Sequence, residues 1–194
     1  AGYFSLRVPP CRAKLEGVPK KSVTVHQIYQ ETKDNLSLTL AAGASGLQRH
    51  RVWETEPNRP GMVLSGFWDY FAPRRIQVLG RLEFRYLKGL SKAARTRVLK
   101  KMLSYRLPAV IVGRDLSPFP EMVAEAERLG VPLFVSPQAT NSLVSRLTRY
   151  LEEALAPEAR VHGTLVDVYG VGVLIQGESG VGKSECALEL IRAG

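Results

Sequence analysis

The chain has 194 residues, of which 45% are hydrophobic, and it carries a formal net charge of +9. This length accommodates one large domain or two small ones, since domains commonly contain about 100–200 residues. Every apolar run falls well short of the roughly 20 residues of a membrane-spanning helix. The N-terminal stretch also lacks the apolar core of a signal peptide, so we expect neither a membrane protein nor a secreted one.

The positive charge does not carry the signature of a nucleic-acid-binding protein. Residues 1–22 contain five basic residues and one acid, and the remaining excess is spread along the chain. No recognised nucleic-acid motif and no interleaving of basic and aromatic residues accompany it, so no nucleic-acid partner is expected. A basic surface of this kind suits phosphates or an acidic protein partner. The two cysteines, Cys11 and Cys186, are not expected to form a disulfide, which favours a reducing, cytoplasmic compartment.

The sequence of the first 71 residues predicts an irregular N-terminal segment followed by short helices and strands. Residues 1–22 are rich in proline and lack periodicity, which indicates an irregular N-terminal extension. Helical spacing of apolar residues begins at Val25, and strict alternation over residues 36–40 predicts a strand. Residues 51–54 predict a second strand. Residues 62–71 predict a short apolar helix whose aromatic side chains belong to the core.

From residue 76 onward, buried-strand patterns alternate with helical patterns. The expected strands are residues 76–80, 109–113 and 132–135, and the expected helices are residues 83–90, 91–102, 121–129 and 141–156. This alternation is typical of an α/β domain with a largely parallel sheet. The pattern breaks at residues 156–160, which predicts a domain of residues 23–156 and the beginning of another at residues 157–194.

The second predicted domain opens with a hairpin that leads into a glycine-rich motif. Residues 161–175 predict two strands joined by a tight turn, with Asp167 as a polar residue of that hairpin. The second strand runs into the pattern G-x-x-x-x-G-K-[ST], which is typical of a phosphate-binding loop. Its members are Gly177, Glu178, Ser179, Gly180, Val181, Gly182, Lys183 and Ser184. A helical sequence follows at residues 185–192.

A strand that turns through glycines into a helix is what phosphate binding requires. The glycines let the backbone fold around an anion, several N–H groups point inward, and the helix N-terminus adds positive potential. Lys183 would supply a mobile cation for the β- and γ-phosphates, and the Ser184 hydroxyl would ligate Mg²⁺. The alternative is a glycine turn that merely joins strand to helix, and it leaves the lysine and serine together unexplained.

The hairpin and loop resemble a known family. Residues 161–175, followed directly by residues 177–185, resemble the bacterial HPr kinase/phosphorylase family. Further motifs of that family occur earlier in the expected order: Arg59-Pro60-Gly61, Leu64-Ser65-Gly66-Phe67, residues 75–80, and Ser145-Arg146-Leu147-Thr148 before Tyr150-Leu151. The resemblance covers about residues 23–194, and this many ordered motifs are more specific than a lone phosphate-binding loop.

The resemblance implies an architecture and a pair of activities. It implies an N-terminal α/β domain and the start of a P-loop kinase domain distantly similar to phosphoenolpyruvate carboxykinase, assembled as a homohexamer. It implies ATP- and Mg²⁺-dependent phosphorylation of a serine on HPr, the phosphocarrier protein of the sugar phosphotransferase system. It also implies phosphorolysis of phosphoserine-HPr by inorganic phosphate, which yields pyrophosphate. These opposed reactions would regulate carbon metabolism.

The resemblance also implies roles for individual residues. Lys183 matches the catalytic lysine of the loop, and Ser184 matches the Mg²⁺ ligand. His162 matches the histidine of the family's His-Gly motif, which is assigned to the active site. His26 and His50 match no such motif, so we expect structural or surface roles for them.

Two parts of the family's catalytic machinery have no counterpart within the 194 residues. These are the catalytic aspartate and a second metal-ligating carboxylate, which phosphoryl transfer needs as a base and as a metal ligand. Glu185 and Glu189 lie on the predicted loop helix, where a solvent-facing or packing role is favoured over a catalytic one. We therefore expect this chain, as a truncated form, to bind nucleotide but to be inactive.

Two other functions stay open at this point. A different P-loop enzyme, such as a small-molecule kinase, would share the loop but not the protein substrate. A non-catalytic interaction fragment would instead use its N-terminal domain for binding.

Overall fold

The computed structural model describes residues 21–156 and 163–193. They belong to two compact units, Ala1–Pro157 and Glu158–Gly194. The expected N-terminal extension lies outside the described residues apart from its last two positions.

The first unit contains six strands and six α-helices within the described residues. The strands are β1 (Val23–Thr24), β2 (Thr39–Ala42), β3 (Arg51–Val52), β4 (Gln77–Leu79), β5 (Val110–Val112) and β6 (Leu133–Val135). The helices are α1 (Val25–Thr32), α2 (Gly61–Leu64), α3 (Arg81–Gly89), α4 (Lys92–Ser104), α5 (Pro120–Leu129) and α6 (Thr140–Leu155). Short 3₁₀ turns lie at Ala44–Gly46 and Trp68–Tyr70.

A four-stranded sheet forms the centre of this unit, in the order β2-β6-β5-β4. Strands β4, β5 and β6 are parallel, and β2 pairs antiparallel with β6 at one edge. Strands β1 and β3 form a separate antiparallel pair. The predicted α/β fold with a largely parallel sheet is therefore confirmed.

The sheet separates two hydrophobic clusters, because successive strand residues point to opposite faces. In β5, Val110 and Val112 pack with α4 and α5 residues on one face, whereas Ile111 packs with α1 and α6 residues on the other. Leu133 and Phe134 divide in the same way in β6. Strands covered on both faces read as continuous apolar runs, which is why residues 109–113 and 132–135 were recognisable as strands.

The strand expected at residues 36–40 is wrong in its position. Leu36 and Leu38 are buried, but they lie in the turns that follow α1, where the Leu36 N–H donates to the Thr32 carbonyl at 2.8 Å. Pairing with β6 begins only at Thr39, opposite Val135. The alternating burial arises because a loop lies against the core, and burial at every second position does not by itself require a strand.

The helix expected at residues 62–71 is also wrong. The structure has the one-turn helix α2, then a break, then the 3₁₀ turn at Trp68–Tyr70. Gly66 adopts φ +119° between them, a conformation that interrupts a right-handed helix. Trp68 and Phe71 pack against the core as expected, but Phe67 and Tyr70 are exposed.

The later helices agree closely with expectation. The Ser91 side chain caps α4 by accepting from the Ala94 N–H at 3.3 Å, at the residue where this helix was expected to begin. Gly130 ends α5 in a left-handed conformation with φ +65°. None of the helices formed by the described residues is both long and apolar enough to cross a bilayer.

In the second unit, the described residues form a hairpin and a helix: β7 (Gly163–Val168), β8 (Val171–Gln176) and α7 (Lys183–Ala193). The predicted hairpin is confirmed. Its turn is the pair Tyr169 (φ 54°) and Gly170 (φ 77°), and positive φ at both positions is the signature of a type I′ turn. The Asp167 carboxylate accepts from the Gly170 N–H at 2.8 Å, which confirms its role as a polar residue of the hairpin.

One histidine of the first unit couples stability to pH. Burial lowers the pKa of His50 below its usual value of 6.5, and the nearby Arg49 acts in the same direction, against a hydrogen bond to the Gly130 backbone. Because the folded state binds this proton less readily than the unfolded state, the stabilisation is present above pH 6.5 and is lost as pH falls through the lowered pKa.

We therefore expect the first unit to unfold at a lower urea concentration at pH 5.5 than at pH 7.5. His50→Gln should reduce that difference, whereas the control His26→Gln should retain it. Urea titrations followed by circular dichroism at both pH values check this. An identical pH dependence in the wild type and His50→Gln would contradict it.

Candidate phosphate-binding site

The motif predicted from the sequence forms the connection between β8 and α7. Residues 177–182 are the loop, and Lys183 is the first residue of the helix. Gly180 and Gly182 adopt φ values of +86° and +90°. This left-handed region strongly favours glycine, so the two glycines permit a path that other residues would resist.

The Lys183 side chain folds back over the loop that precedes it. Its ammonium Nζ donates to the Gly177 carbonyl at 2.9 Å and also to the Glu178 carbonyl. The lysine is half-buried, whereas residues 177–181 are exposed. The ammonium group is therefore held against the backbone of the loop, and any phosphate bound by this lysine would have to replace the two carbonyls.

The start of α7 supplies further groups suited to an anion. The Cys186 N–H makes the first helical bond, to the Gly182 carbonyl at 3.0 Å. The N–H groups before it have no partner in the helix, which is the general condition of a helix N-terminus. Together with the dipole of the helix, such groups favour bound phosphate.

The Ser184 hydroxyl is exposed and makes no side-chain hydrogen bond with the residues that the structure describes. It is thus free to ligate a cation. Mg²⁺ commonly takes only one or two protein ligands and completes its octahedron with phosphate oxygens and water, so a single hydroxyl beside a phosphate loop fits that ion. Within the described ranges, no cluster of three or more His, Cys, Asp or Glu residues is placed to hold a metal.

Of the other candidate residues, Glu185 lies next to the loop, with its carboxylate near Gly182, and Glu189 lies one turn further along α7. His162 lies outside the described residues. The Glu189 carboxylate forms an ion pair with Arg192 at 3.2 Å, and both side chains are exposed, in keeping with the expected solvent-facing role. Glu185 lies in the first turn of α7, where its negative charge interacts favourably with the helix dipole and stabilises the helix.

Comparison with known proteins identifies the class to which this fold and loop belong. The profile of the HPr Serine kinase N terminus matches residues 23–151, and that of the HPr Serine kinase C-terminal domain matches residues 153–194. The chain therefore belongs to the HPr serine kinase family.

Curated relatives agree with this assignment. The HPr kinase/phosphorylase of Geobacter sulfurreducens is 42% identical over 173 residues, which is 89% of this chain and 54% of the relative. That of Clostridium botulinum strain Eklund 17B is 48% identical over 144 residues, 74% of this chain and 47% of the relative. HPr kinase/phosphorylase 1 of Oceanobacillus iheyensis is 43% identical and covers 85% of this chain and 53% of the relative. The chain thus spans about half the length of the curated relatives it matches.

A solved structure shows a more remote similarity. The CBS and DRTGG domains of the regulatory region of Clostridium perfringens pyrophosphatase align at 13% identity, covering 66% of this chain and 50% of that chain with a TM-score of 0.46. That score is too low to establish a shared fold.

Proposed function

We propose that the protein carrying this sequence is a bifunctional HPr serine kinase/phosphorylase that binds Mg²⁺ and ATP at residues 177–184. The observation that carries the proposal is that both units match the same family. The order strand, loop, helix around residues 177–184 supports it, because this arrangement favours phosphate binding. The proposal includes a homohexameric assembly, as the family resemblance implies, and a cytoplasmic location, which the two cysteines favour.

In the forward direction, a serine hydroxyl of HPr would attack the γ-phosphorus of ATP. A serine O–P bond forms, the bond from the γ-phosphorus to the β–γ bridging oxygen breaks, ADP leaves and the hydroxyl proton passes to a base. The Lys183 ammonium would move from the Gly177 and Glu178 carbonyls to the phosphates and stabilise the charge that gathers there. Ser184 would hold Mg²⁺, which neutralises phosphate charge when bound.

In the reverse direction, an oxygen of inorganic phosphate would attack the phosphorus of phosphoserine-HPr. The bond to the serine oxygen breaks, pyrophosphate forms, and the serine hydroxyl is restored with one proton. The same loop would serve both reactions because pyrophosphate occupies the place of the β- and γ-phosphates. We propose an active-site role for His162 on the family motif.

The test is incubation of the full-length protein that carries this sequence with purified HPr, Mg²⁺ and ATP labelled at the γ-phosphate; the 194-residue chain alone is expected to be inactive. We expect label on an HPr serine, its removal on addition of excess phosphate, and the appearance of labelled pyrophosphate. HPr with its serines replaced by alanine is the matched control and should stay unlabelled. Absence of serine labelling, with turnover of a small metabolite instead, would favour a P-loop small-molecule kinase and overturn the proposal.

A further inference from the structure

The phosphate-binding loop and the start of its helix carry more negative than positive charge. Residues 177–185 contain two acids, Glu178 and Glu185, and one base, Lys183, so this segment has a net charge of −1. Such a balance is unusual for an anion site, because phosphate-binding sites generally present positive potential. The glycines and the helix N-terminus explain how the segment could bind phosphate, but they do not explain the two acids.

The Glu185 carboxylate lies at the positive end of α7. A side chain added at Gly182 would place its first carbon only 3.4 Å from the Glu185 Oε2 atom, so the carboxylate folds back over the last glycine of the loop. A charge in the first turn of a helix experiences the positive potential of the N-terminus. The carboxylate and a bound phosphate would therefore draw on the same potential, and they would repel each other.

The lysine of the loop does not neutralise either acid. The Lys183 ammonium donates to the backbone carbonyls of Gly177 and Glu178 rather than to a carboxylate. Glu178 and Glu185 are both exposed, and neither side chain forms an ion pair or a hydrogen bond with a residue that the structure describes. Both negative charges are therefore left to act on a ligand that enters the loop.

A cation bound to the phosphates reduces the repulsion from these acids. The Coulomb energy between two groups is proportional to the product of their charges. Mg²⁺ roughly halves the net charge of ATP, so it should also roughly halve the repulsion. Water and salt screen charges at an exposed loop, which limits the effect of each acid without removing it. The acids consequently disfavour free ATP more than they disfavour Mg²⁺–ATP.

We propose that Glu178 and Glu185 are specificity-determining residues that make the loop select Mg²⁺-bound phosphates over free phosphates. Glu185 makes the larger contribution, because its carboxylate lies over Gly182 at the start of the helix. Both acids act through their charge on the ligand and do not coordinate Mg²⁺. The inference rests on the proposed phosphate binding by residues 177–184, and it adds a discrimination between two forms of one ligand.

The test compares the dissociation constant of ATP in metal-free buffer with that of ATP in saturating Mg²⁺. Isothermal titration calorimetry of the full-length protein that carries this sequence gives both constants, at one ionic strength because salt screens the interaction. Glu185→Gln and Glu178→Gln each remove a charge and keep the size of the side chain. Glu189→Gln is the matched control, since Glu189 is an exposed acid one turn further along α7 that is already paired with Arg192.

We expect Glu185→Gln to bind free ATP about tenfold more tightly and Mg²⁺–ATP about threefold more tightly than the wild type. Half the ligand charge gives half the gain in free energy, which is the square root of the fold change. The ratio of the dissociation constants for free ATP and Mg²⁺–ATP should therefore fall by about threefold. Glu178→Gln should lower this ratio by a smaller factor, and Glu189→Gln should leave it unchanged.

Three results would overturn the proposal. One is an unchanged ratio in Glu185→Gln. The second is weaker binding of Mg²⁺–ATP by Glu185→Gln with free ATP unaffected, which would make Glu185 a metal ligand. The third is an equal fall of the ratio in Glu189→Gln, which would indicate a general effect of charge.

Failure of this inference is distinguishable from failure of the proposed function. If HPr is labelled and the ratio does not change, only the selectivity is wrong. If HPr stays unlabelled and the ratio falls as expected, the selectivity stands and the kinase proposal is wrong. Absence of ATP binding in every variant, with and without Mg²⁺, would overturn both.

Discussion

Replacing Lys183 with alanine is expected to weaken the binding of Mg²⁺–ATP by roughly thirtyfold or more, since loss of a close charge contact costs about 2–5 kcal/mol and each 1.4 kcal/mol is tenfold. The lower end of that range applies because the loop is exposed and water screens the contact. The lysine also holds the Gly177 and Glu178 carbonyls, so its loss removes both the cation and a bond that organises the loop. Isothermal titration calorimetry of the 194-residue chain checks this.

Arg192→Ala is the matched control for this substitution. Arg192 is a cation in the last turn of the same helix, and its exposed ion pair with Glu189 contributes little to stability. Arg192→Ala should leave the affinity for Mg²⁺–ATP unchanged. Equal Mg²⁺–ATP affinity in the wild type and Lys183→Ala would show that the loop does not bind the nucleotide. If neither protein bound Mg²⁺–ATP, a non-catalytic interaction fragment would be favoured.

The second large effect is expected at Phe134, in the central sheet of the first unit. Phe134 is 2% exposed, its ring lies 5.2 Å from that of Tyr29, and it belongs to the cluster formed with α1 and α6. Phe134→Ala should reduce the free energy of unfolding by about 3–5 kcal/mol, because it removes buried apolar surface and leaves a cavity. That is a large share of the roughly 5–15 kcal/mol typical of a domain. Urea unfolding followed by circular dichroism measures it.

Phe67→Ala provides the comparison at the surface. Phe67 is 58% exposed, so the same change of side chain should alter the free energy of unfolding by no more than about 0.5 kcal/mol. Similar losses in the two variants would mean that Phe134 is not part of a packed core. The difference between them therefore tests the placement of β6 between two helical layers.

Continuous apolar runs were predictable because their pattern leaves few alternatives. Residues 109–113 and 132–135 are too apolar to lie at a surface, and their short length and flanking helices point to parallel strands covered on both faces. Ser91 and Gly130 were recognisable as helix boundaries because a cap hydroxyl and a left-handed glycine are local requirements. The phosphate-binding motif was predictable for the same reason, since its residues are consecutive in the sequence.

Tertiary contacts determine the structure at the two places where the sequence predicted the wrong element, residues 36–40 and 62–71. Leu36 and Leu38 alternate as a strand would, but the partner that defines the strand, β6, pairs only from Thr39 onward. Residues 62–71 carry helical apolar spacing, but the chain turns at Gly66 so that Trp68 and Phe71 pack against Tyr105. Neither partner is visible from the neighbouring sequence.

The sequence by itself determined the class of fold, the hairpin and the phosphate-binding motif, since each depends on residues that are close along the chain. Only the tertiary structure decided that Lys183 rests on the carbonyls of its own loop, and only it brought together Arg49, Arg74 and Arg106. In the sequence these arginines are part of a scattered positive charge, and His50 lacks any motif. They form one cavity because the sheet and its helices bring distant segments to the same surface, and that depends on packing across the whole unit.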